Sequence, residues 1–392
     1  MSTARLTARV RADRPSRRCA CDPRPKTSEA IQTTSALLPD TFYASGPVPC
    51  VGFLRTTIPR VAQGEGEGYK PVPDRRGDKW ARWKIHESSI FTRLFAYTDP
   101  PYFRPGAFQE FTGGCTLVSG SLAVTAAHCV DALGMLFADV EPVTAERVVE
   151  VCGAEAAQVV TGRAGMWWHV RIEEIHRCCV EWGISERPDR VCVGAEVVLN
   201  ALYHPDIAPS PDAFTVHVTD VFIPQDFRFP DSSIIPADIA LLRLRRDVAA
   251  DLVDGGGGPA VVARFSDELD AESKWLVHGW GDEDMREGEE FFVPAARLKR
   301  LPMDVHSPTD VARVYGGAFD ARTMLAAHGT EYADVLERGR LQLISACQGD
   351  SGSGLLSWDE GVGRWRCVGV VSGGKECGEI GYPTVFTRLC CR

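Results

Sequence analysis

The stretch Ala346-Cys347-Gln348-Gly349-Asp350-Ser351-Gly352 constrains this chain more than any other, because it sets one serine between glycines that permit an abrupt backbone turn. A serine hydroxyl is a weak nucleophile at neutral pH. It needs a base within hydrogen-bond reach, and that base needs a partner that fixes its tautomer. Upstream, Thr125-Ala126-Ala127-His128-Cys129 supplies a histidine, and Asp238-Ile239-Ala240-Leu241-Leu242 supplies an aspartate at the head of an apolar run. Each has a bland reading when taken alone. A histidine beside a cysteine is usually structural, an acid at a strand edge is usually solvated, and glycine-serine turns are common. Together, and in the order His, Asp, Ser, they leave little room for coincidence.

These motifs resemble those of the chymotrypsin-like serine proteases, and the likeness runs beyond them over about residues 110–392. Trp275-Leu276-Val277-His278-Gly279-Trp280-Gly281 resembles that family's apolar strand ending in Gly-Trp-Gly, and Val368 to Gly374 resembles the strand that pairs with substrate backbone. Pro383-Thr384-Val385-Phe386 is similar to the strand that follows. The resemblance implies an all-β fold of two six-stranded antiparallel barrels with the active cleft between them. It implies a serine endopeptidase in which His128 takes the proton of Ser351, Asp238 holds the imidazole, and the N–H groups of Gly349 and Ser351 form the oxyanion hole. No cofactor and no metal enter that chemistry.

The same resemblance assigns further positions. Ser345, Ser372, Gly373, Gly374 and Thr384 fall where the family binds substrate. Ser345 stands where trypsin-like members place an aspartate, and Thr384 where glycine admits the largest side chains, so medium apolar residues such as Leu or Met are expected before the cut bond. Cys347 and Cys377 resemble one family disulfide, and Cys115 and Cys129 another, with Cys115 two places later than usual. Asp350 corresponds to the acid that pairs with a new α-amino group after zymogen cleavage. Arg60-Val61-Ala62-Gln63-Gly64 is the best match to a cleavage site, between Arg60 and Val61.

Departures are also visible. Met324-Leu325-Ala326-Ala327 carries alanine where the family has a disulfide cysteine, and the partner position near Val311-Ala312 also lacks one. Gly373 stands in place of an aromatic residue, and Ser353-Gly354 in place of Gly-Pro. The sequence stops at Cys390-Cys391-Arg392, directly after the last expected strand and without the family's closing helix.

Length leaves room for one two-barrel unit with extensions. Residues 1–60, rich in Pro, Ser, Thr and Arg, read as a disordered leader or propeptide, residues 61–392 as the protease domain, and Lys79 to Tyr97 as its first strands. His128 and Asp238 are 110 residues apart, and an insertion near 133–187 accounts for the excess. It reads as a surface loop, stapled by disulfides through Cys152, Cys178 and Cys179, since His169, His176, Cys178 and Cys179 fit no common zinc spacing.

Net charge is −10, and residues 1–39 hold eight basic and three acidic side chains, so the body is more acidic still. That argues against nucleic acid as a partner and leaves protein or peptide substrates, with protein inhibitors as further partners. No apolar run approaches the ~18 residues of a membrane span. Fourteen cysteines point to an extracellular or secretory-pathway protein, although Met1 to Cys21 lacks the apolar core of a signal peptide. A non-catalytic protease homologue, binding partners through the insertion, is the rival reading from another class; its usual mark, a damaged triad, is absent here.

Overall fold

Alternation of Leu54, Thr56 and Ile58 inward with Arg55 and Thr57 outward makes residues 51–58 a strand with one core face. In the computed structural model this strand is the start of the first barrel. The structure describes residues 40–62, 70–71, 102–131, 133, 141–163, 165–181, 194–228, 234–253, 257–266, 270, 272–282, 293–335, 340–375 and 377–390.

In chain order the first half carries β1 (Val51–Ala62), β2 (Lys70–Pro71), β3 (Tyr102–Ser119), β4 (Leu122–Thr125), β5 (Glu141–Val143), β6 (Trp167–Arg171), β7 (Gly194–Leu199), β8 (Phe214–Pro224) and β9 (Ala240–Leu244). The second half carries β10 (Val261–Val262), β11 (Trp275–Gly279), β12 (Lys299–Val305), β13 (Met324–Gly329), β14 (Tyr332–Val335), β15 (Arg340–Leu343), β16 (Gly354–Asp359), β17 (Arg364–Gly373) and β18 (Thr384–Arg388). Three helices, α1 (Ala145–Cys152), α2 (Glu155–Val160) and α3 (Ile172–Glu181), lie between β5 and β7, and α4 (Pro308–Tyr315) lies between β12 and β13.

Antiparallel pairing closes two rings of six. The first runs β1, β3, β4, β9, β8, β7 and back to β1; the second runs β11, β12, β13, β18, β17, β16 and back to β11. Closure leaves neither ring with an open edge. Leu54, Ile58, Leu122, Val124, Val197, Val216 and Leu242 fill the first barrel. Trp275, Val277, Leu301, Leu325, Leu355, Val368 and Phe386 fill the second.

Two expectations need correction, and a third lies outside the described residues. The barrel begins at Val51, inside the stretch read as leader, because Arg55 and Thr57 fall on the outer face of β1 while Leu54, Thr56 and Ile58 are buried. Lys79 to Tyr97, read as the first strands, lies outside the described residues. The insertion is packed structure and no mere surface loop. Strand β6 adds to β8 from Trp167↔Pro224 to Arg171↔Asp220. The helix α1, capped by the Thr144 hydroxyl accepting from the Arg147 N–H, buries Val148 and Cys152, and α2 buries Ala156, Val159 and Val160. Trp167 is 1% exposed and belongs to the same core as Leu122 and Leu242. Cys152 is a buried, unbridged thiol, and apolar packing helps to secure this segment.

The alanine at 326 has a structural counterpart. Val311 and Ala326 are buried in one apolar cluster with Ile234, Phe319, Met324 and Val385. Packing joins α4 to β13 where the family resemblance implies a covalent bridge.

Candidate active site

Strand register brings His128 to Asp238. Thr125, the last residue of β4, pairs with Ala240, the first of β9. His128 follows on a short 3-10 turn, Ala127–Cys129, and Asp238 sits just ahead of β9. Ala237 turns the chain into that position at φ +52°, a conformation rarely adopted by a residue with a side chain. Such strain is held only where the surroundings fix it.

Asp238 is fully buried and accepts three hydrogen bonds. The His128 backbone N–H reaches its Oδ1 at 3.0 Å, the His128 Nδ1–H reaches Oδ2 at 2.8 Å, and the Ser372 hydroxyl reaches Oδ2 at 2.6 Å. An aspartate can be buried only when donors satisfy it in this way. Burial of the His128 ring disfavours its charged form. The charge and hydrogen bond of Asp238, with Cys129 adding to them, outweigh that and hold His128 well above the ordinary histidine value.

Ser351 lies on a loop of the second barrel that is tied to the first. Its carbonyl accepts the Gly114 N–H from β3 at 2.8 Å, and the Cys129 thiol donates to the same oxygen at 3.6 Å. Ser351 is thereby fixed against the turn that carries His128. Gly352 follows at φ +84°, and a Cβ there would lie 2.1 Å from Thr125 Oγ1 and 2.3 Å from the Gly114 carbonyl, so only glycine fits. Gly349 also has positive φ, +87°. The Asp350 N–H closes back on the Cys347 carbonyl at 3.0 Å, and the Cys347–Cys377 disulfide joins the loop to the segment after β17.

Of the expected substrate-binding residues, Ser345 and Thr384 meet, their hydroxyls 2.9 Å apart. Gly374 faces them, since a Cβ there would lie 3.7 Å from Thr384 Cα. Gly373 ends β17 opposite Val385. Ser372 turns instead toward Asp238. Sequence reasoning also missed Tyr315, whose hydroxyl donates to the Pro383 carbonyl at 2.7 Å beside Gly374. It missed Lys375 too, whose ammonium lies 3.9 Å from the centre of the Tyr382 ring. Nothing local in the sequence marks either.

One expected pairing does not occur, and the expected cleavage site is not in a free leader. Cys115 and Cys129 are separate thiols. Arg60 and Val61 lie within β1, with Val61 opposite Phe103 of β3, so the bond between them is part of a barrel strand rather than of a free leader. A protease must draw its substrate out as an extended chain, and a paired strand resists that. Among the described residues no three His, Cys, Asp or Glu side chains are placed to hold a metal ion, and no helix is long and apolar enough to cross a membrane.

Two closed six-stranded barrels, with a glycine-bracketed serine loop of the second tied beside a His–Asp pair of the first, make a chymotrypsin-like domain. Residues 208–391 match the family described as Trypsin. Transmembrane protease serine 5 of Homo sapiens is 30% identical over 152 residues, covering 39% of this chain and 29% of that protein. Serine protease 56 of Mus musculus is 35% identical over 156 residues, covering 39% of this chain and 22% of that protein. Phenoloxidase-activating factor 1 of Holotrichia diomphalia is 25% identical over 351 residues, covering 88% and 74%. The aligned part is thus less than a third of the first two relatives. The chain is thus similar to the chymotrypsin-like serine proteases, whose two-barrel fold it shares.

Proposed function

We propose that this chain is an active serine endopeptidase in which Ser351 attacks the peptide carbonyl, His128 moves the proton, and Asp238 orients His128. The observation that carries the reading is the three-donor burial of Asp238. It leaves the aspartate no role for water and fixes Nδ1 of His128 as the protonated nitrogen. Nε2 is then the acceptor that a serine base requires. Attack forms a tetrahedral intermediate whose oxygen is received by the N–H groups of Gly349 and Ser351. The proton passes from Ser351 through His128 to the leaving amine, and water then cleaves the acyl-enzyme by the reverse sequence. Each oxyanion donor contributes about 3–4 kcal/mol of barrier lowering in sites of this kind.

The substrate is an extended peptide with a medium apolar side chain, Leu or Met, before the cut bond. Ser345, Gly374 and Thr384 support this, since the first two supply no counter-charge for Lys or Arg and the third shortens the space. Extracellular or secretory-pathway action is consistent with the Cys347–Cys377 disulfide.

A fluorophosphonate that esterifies activated serines tests the assignment. Labelling should map to Ser351, and Ser351→Ala should abolish both labelling and peptide hydrolysis while the thermal transition is kept. Hydrolysis surviving in Ser351→Ala, or no labelling of the folded wild type either intact or after limited proteolysis, sinks it and favours a binding homologue.

A further inference from the structure

Asp350 is a buried acid that the proton transfer does not use. It is 5% exposed. Its carboxylate lies over a ribbon that only glycine could form: a Cβ on Gly279 would come within 2.1 Å of Oδ1, and one on Gly281 within 2.3 Å of Oδ2. The Gly281 N–H donates to Oδ1 at 2.9 Å, and the Cys347 N–H to Oδ2 at 3.0 Å. These donors fix the carboxylate's position and so the loop through Gly349 and Ser351. They bring no net charge. A buried carboxylate without a cation costs several kcal/mol or takes up a proton.

The cation is in the fold. Lys299 opens β12 directly opposite Gly279 of β11, and residues paired across an antiparallel ladder project to the same face. At Gly279 that face is the one filled by Asp350. Lys299 is 8% exposed, and its backbone is covered by the chain ahead of β1. Tyr43 bridges to Lys299, the Ala44 N–H donates to the Leu298 carbonyl at 2.9 Å, and Phe42 is buried in the second barrel. A lysine is buried in this way when a negative charge faces it.

We propose that Lys299 is the positioning residue that keeps Asp350 ionised in the uncut chain, so that the oxyanion loop is ordered without an α-amino group released by cleavage. The inference rests on the proposed role of Ser351. Burial raises the Asp350 carboxyl above the usual range and Asp282 adds to that, while Lys299 and the Cys347 and Gly281 amides pull it down. Lys299 is the positive charge in that balance.

The test uses the full chain, shown intact by mass spectrometry, and follows the rate of fluorophosphonate labelling at Ser351. Wild type should label without being cut. Lys299→Met keeps the buried stem and removes the charge, and it should label at least about tenfold more slowly, the loss expected when oxyanion donors fall out of line. Lys299→Arg should restore most of the rate, which a purely steric role for the lysine would not explain. Lys299→Gln replaces Lys299→Met if that variant does not show a cooperative thermal transition. Equal rates for wild type and Lys299→Met overturn the proposal, as does an intact wild type that labels only after limited proteolysis. In both cases the nucleophile assignment survives. Absence of labelling before and after proteolysis removes both.

Discussion

The Ser372 hydroxyl donates to Oδ2 of Asp238 at 2.6 Å, the same oxygen that receives Nδ1 of His128 at 2.8 Å. Ser372 stands on β17 of the second barrel and Asp238 ahead of β9 of the first, so this bond crosses between the barrels at the site itself. Hydrogen bonds to charged groups contribute about 1.5–3 kcal/mol. Ser372→Ala should therefore reduce kcat/KM by roughly 10- to 100-fold, a loss of that size appearing in the barrier. Ser372→Thr, which keeps the hydroxyl, should recover much of it. Steady-state hydrolysis of one peptide by the three proteins checks this, and a change under twofold in Ser372→Ala would show that Asp238 is held by His128 alone.

The pH dependence follows from the same pair, with opposite signs for activity and stability. In the proposed mechanism His128 must be neutral to act as base, and Asp238 holds it well above the ordinary value. Activity should thus fall as pH drops, with its midpoint above about 6.5, the reference for an unperturbed histidine. Because the folded value is the raised one, the protonated pair stabilises the fold fully below the unfolded value of about 6.5. That contribution is lost as pH rises through the folded value. Asp238→Asn should move the activity midpoint down and flatten the stability curve over the same window. An activity midpoint at or below 6.5 in wild type would contradict the electrostatic coupling of His128 to Asp238.

Packing of the insertion gives a prediction about stability alone. Trp167 is among the largest fully buried side chains of the first core, although it belongs to a segment that the barrel topology does not require. Trp167→Ala should cost about 3–5 kcal/mol, whereas Val362→Ala, at a 64% exposed position, should stay within about 0.5 kcal/mol. Denaturant unfolding of the two variants measures the difference. A Trp167→Ala cost near zero would mean that the insertion only decorates the barrel.

What the sequence discloses and what it hides have physical reasons here. His128, Asp238 and Ser351 sit in short stretches whose chemistry is local, so they can be read without knowing the fold. The strands at Trp275–Gly279 and Thr384–Arg388 are buried along their whole length, but only the first stands out as an apolar run, and the second, Thr-Val-Phe-Thr-Arg, is read from its resemblance to a family strand. Strand β1 does not, because Arg55, Thr57 and Pro59 interrupt it and its inward face includes Thr56, whose hydroxyl donates to the Cys129 carbonyl at 3.2 Å. The insertion hides its packing in helices of six to ten residues, each too short for a clear period. Ser372 falls in a stretch that resembles a substrate strand, but its bond to Asp238 depends on how two distant barrels meet. Lys299 carries no signal at all until the register with Gly279 is known.

Specificity is the sharpest test of the site as a whole. Ser345 stands six residues before Ser351, and its hydroxyl meets that of Thr384, which is buried; under the proposed specificity the two close off the space that a longer side chain would enter. A Lys or Arg side chain placed there would be desolvated against two neutral hydroxyls, at a cost of several kcal/mol. Peptides differing only in the residue before the cut bond should therefore be turned over fastest with Leu or Met, more slowly with Phe, and least with Lys or Arg. Ser345→Asp supplies the missing charge and should raise kcat/KM for Arg while lowering it for Leu. Thr384→Gly removes the methyl and hydroxyl that shorten the space and should favour Phe. Gly374 is unchanged in both variants and adds no side chain to the approach, where a Cβ would touch Thr384 Cα at 3.7 Å. A wild type that prefers Arg or Lys, or a Thr384→Gly variant with unchanged preference between Leu and Phe, would remove Ser345 and Thr384 from the substrate site while leaving Ser351, His128 and Asp238 untouched.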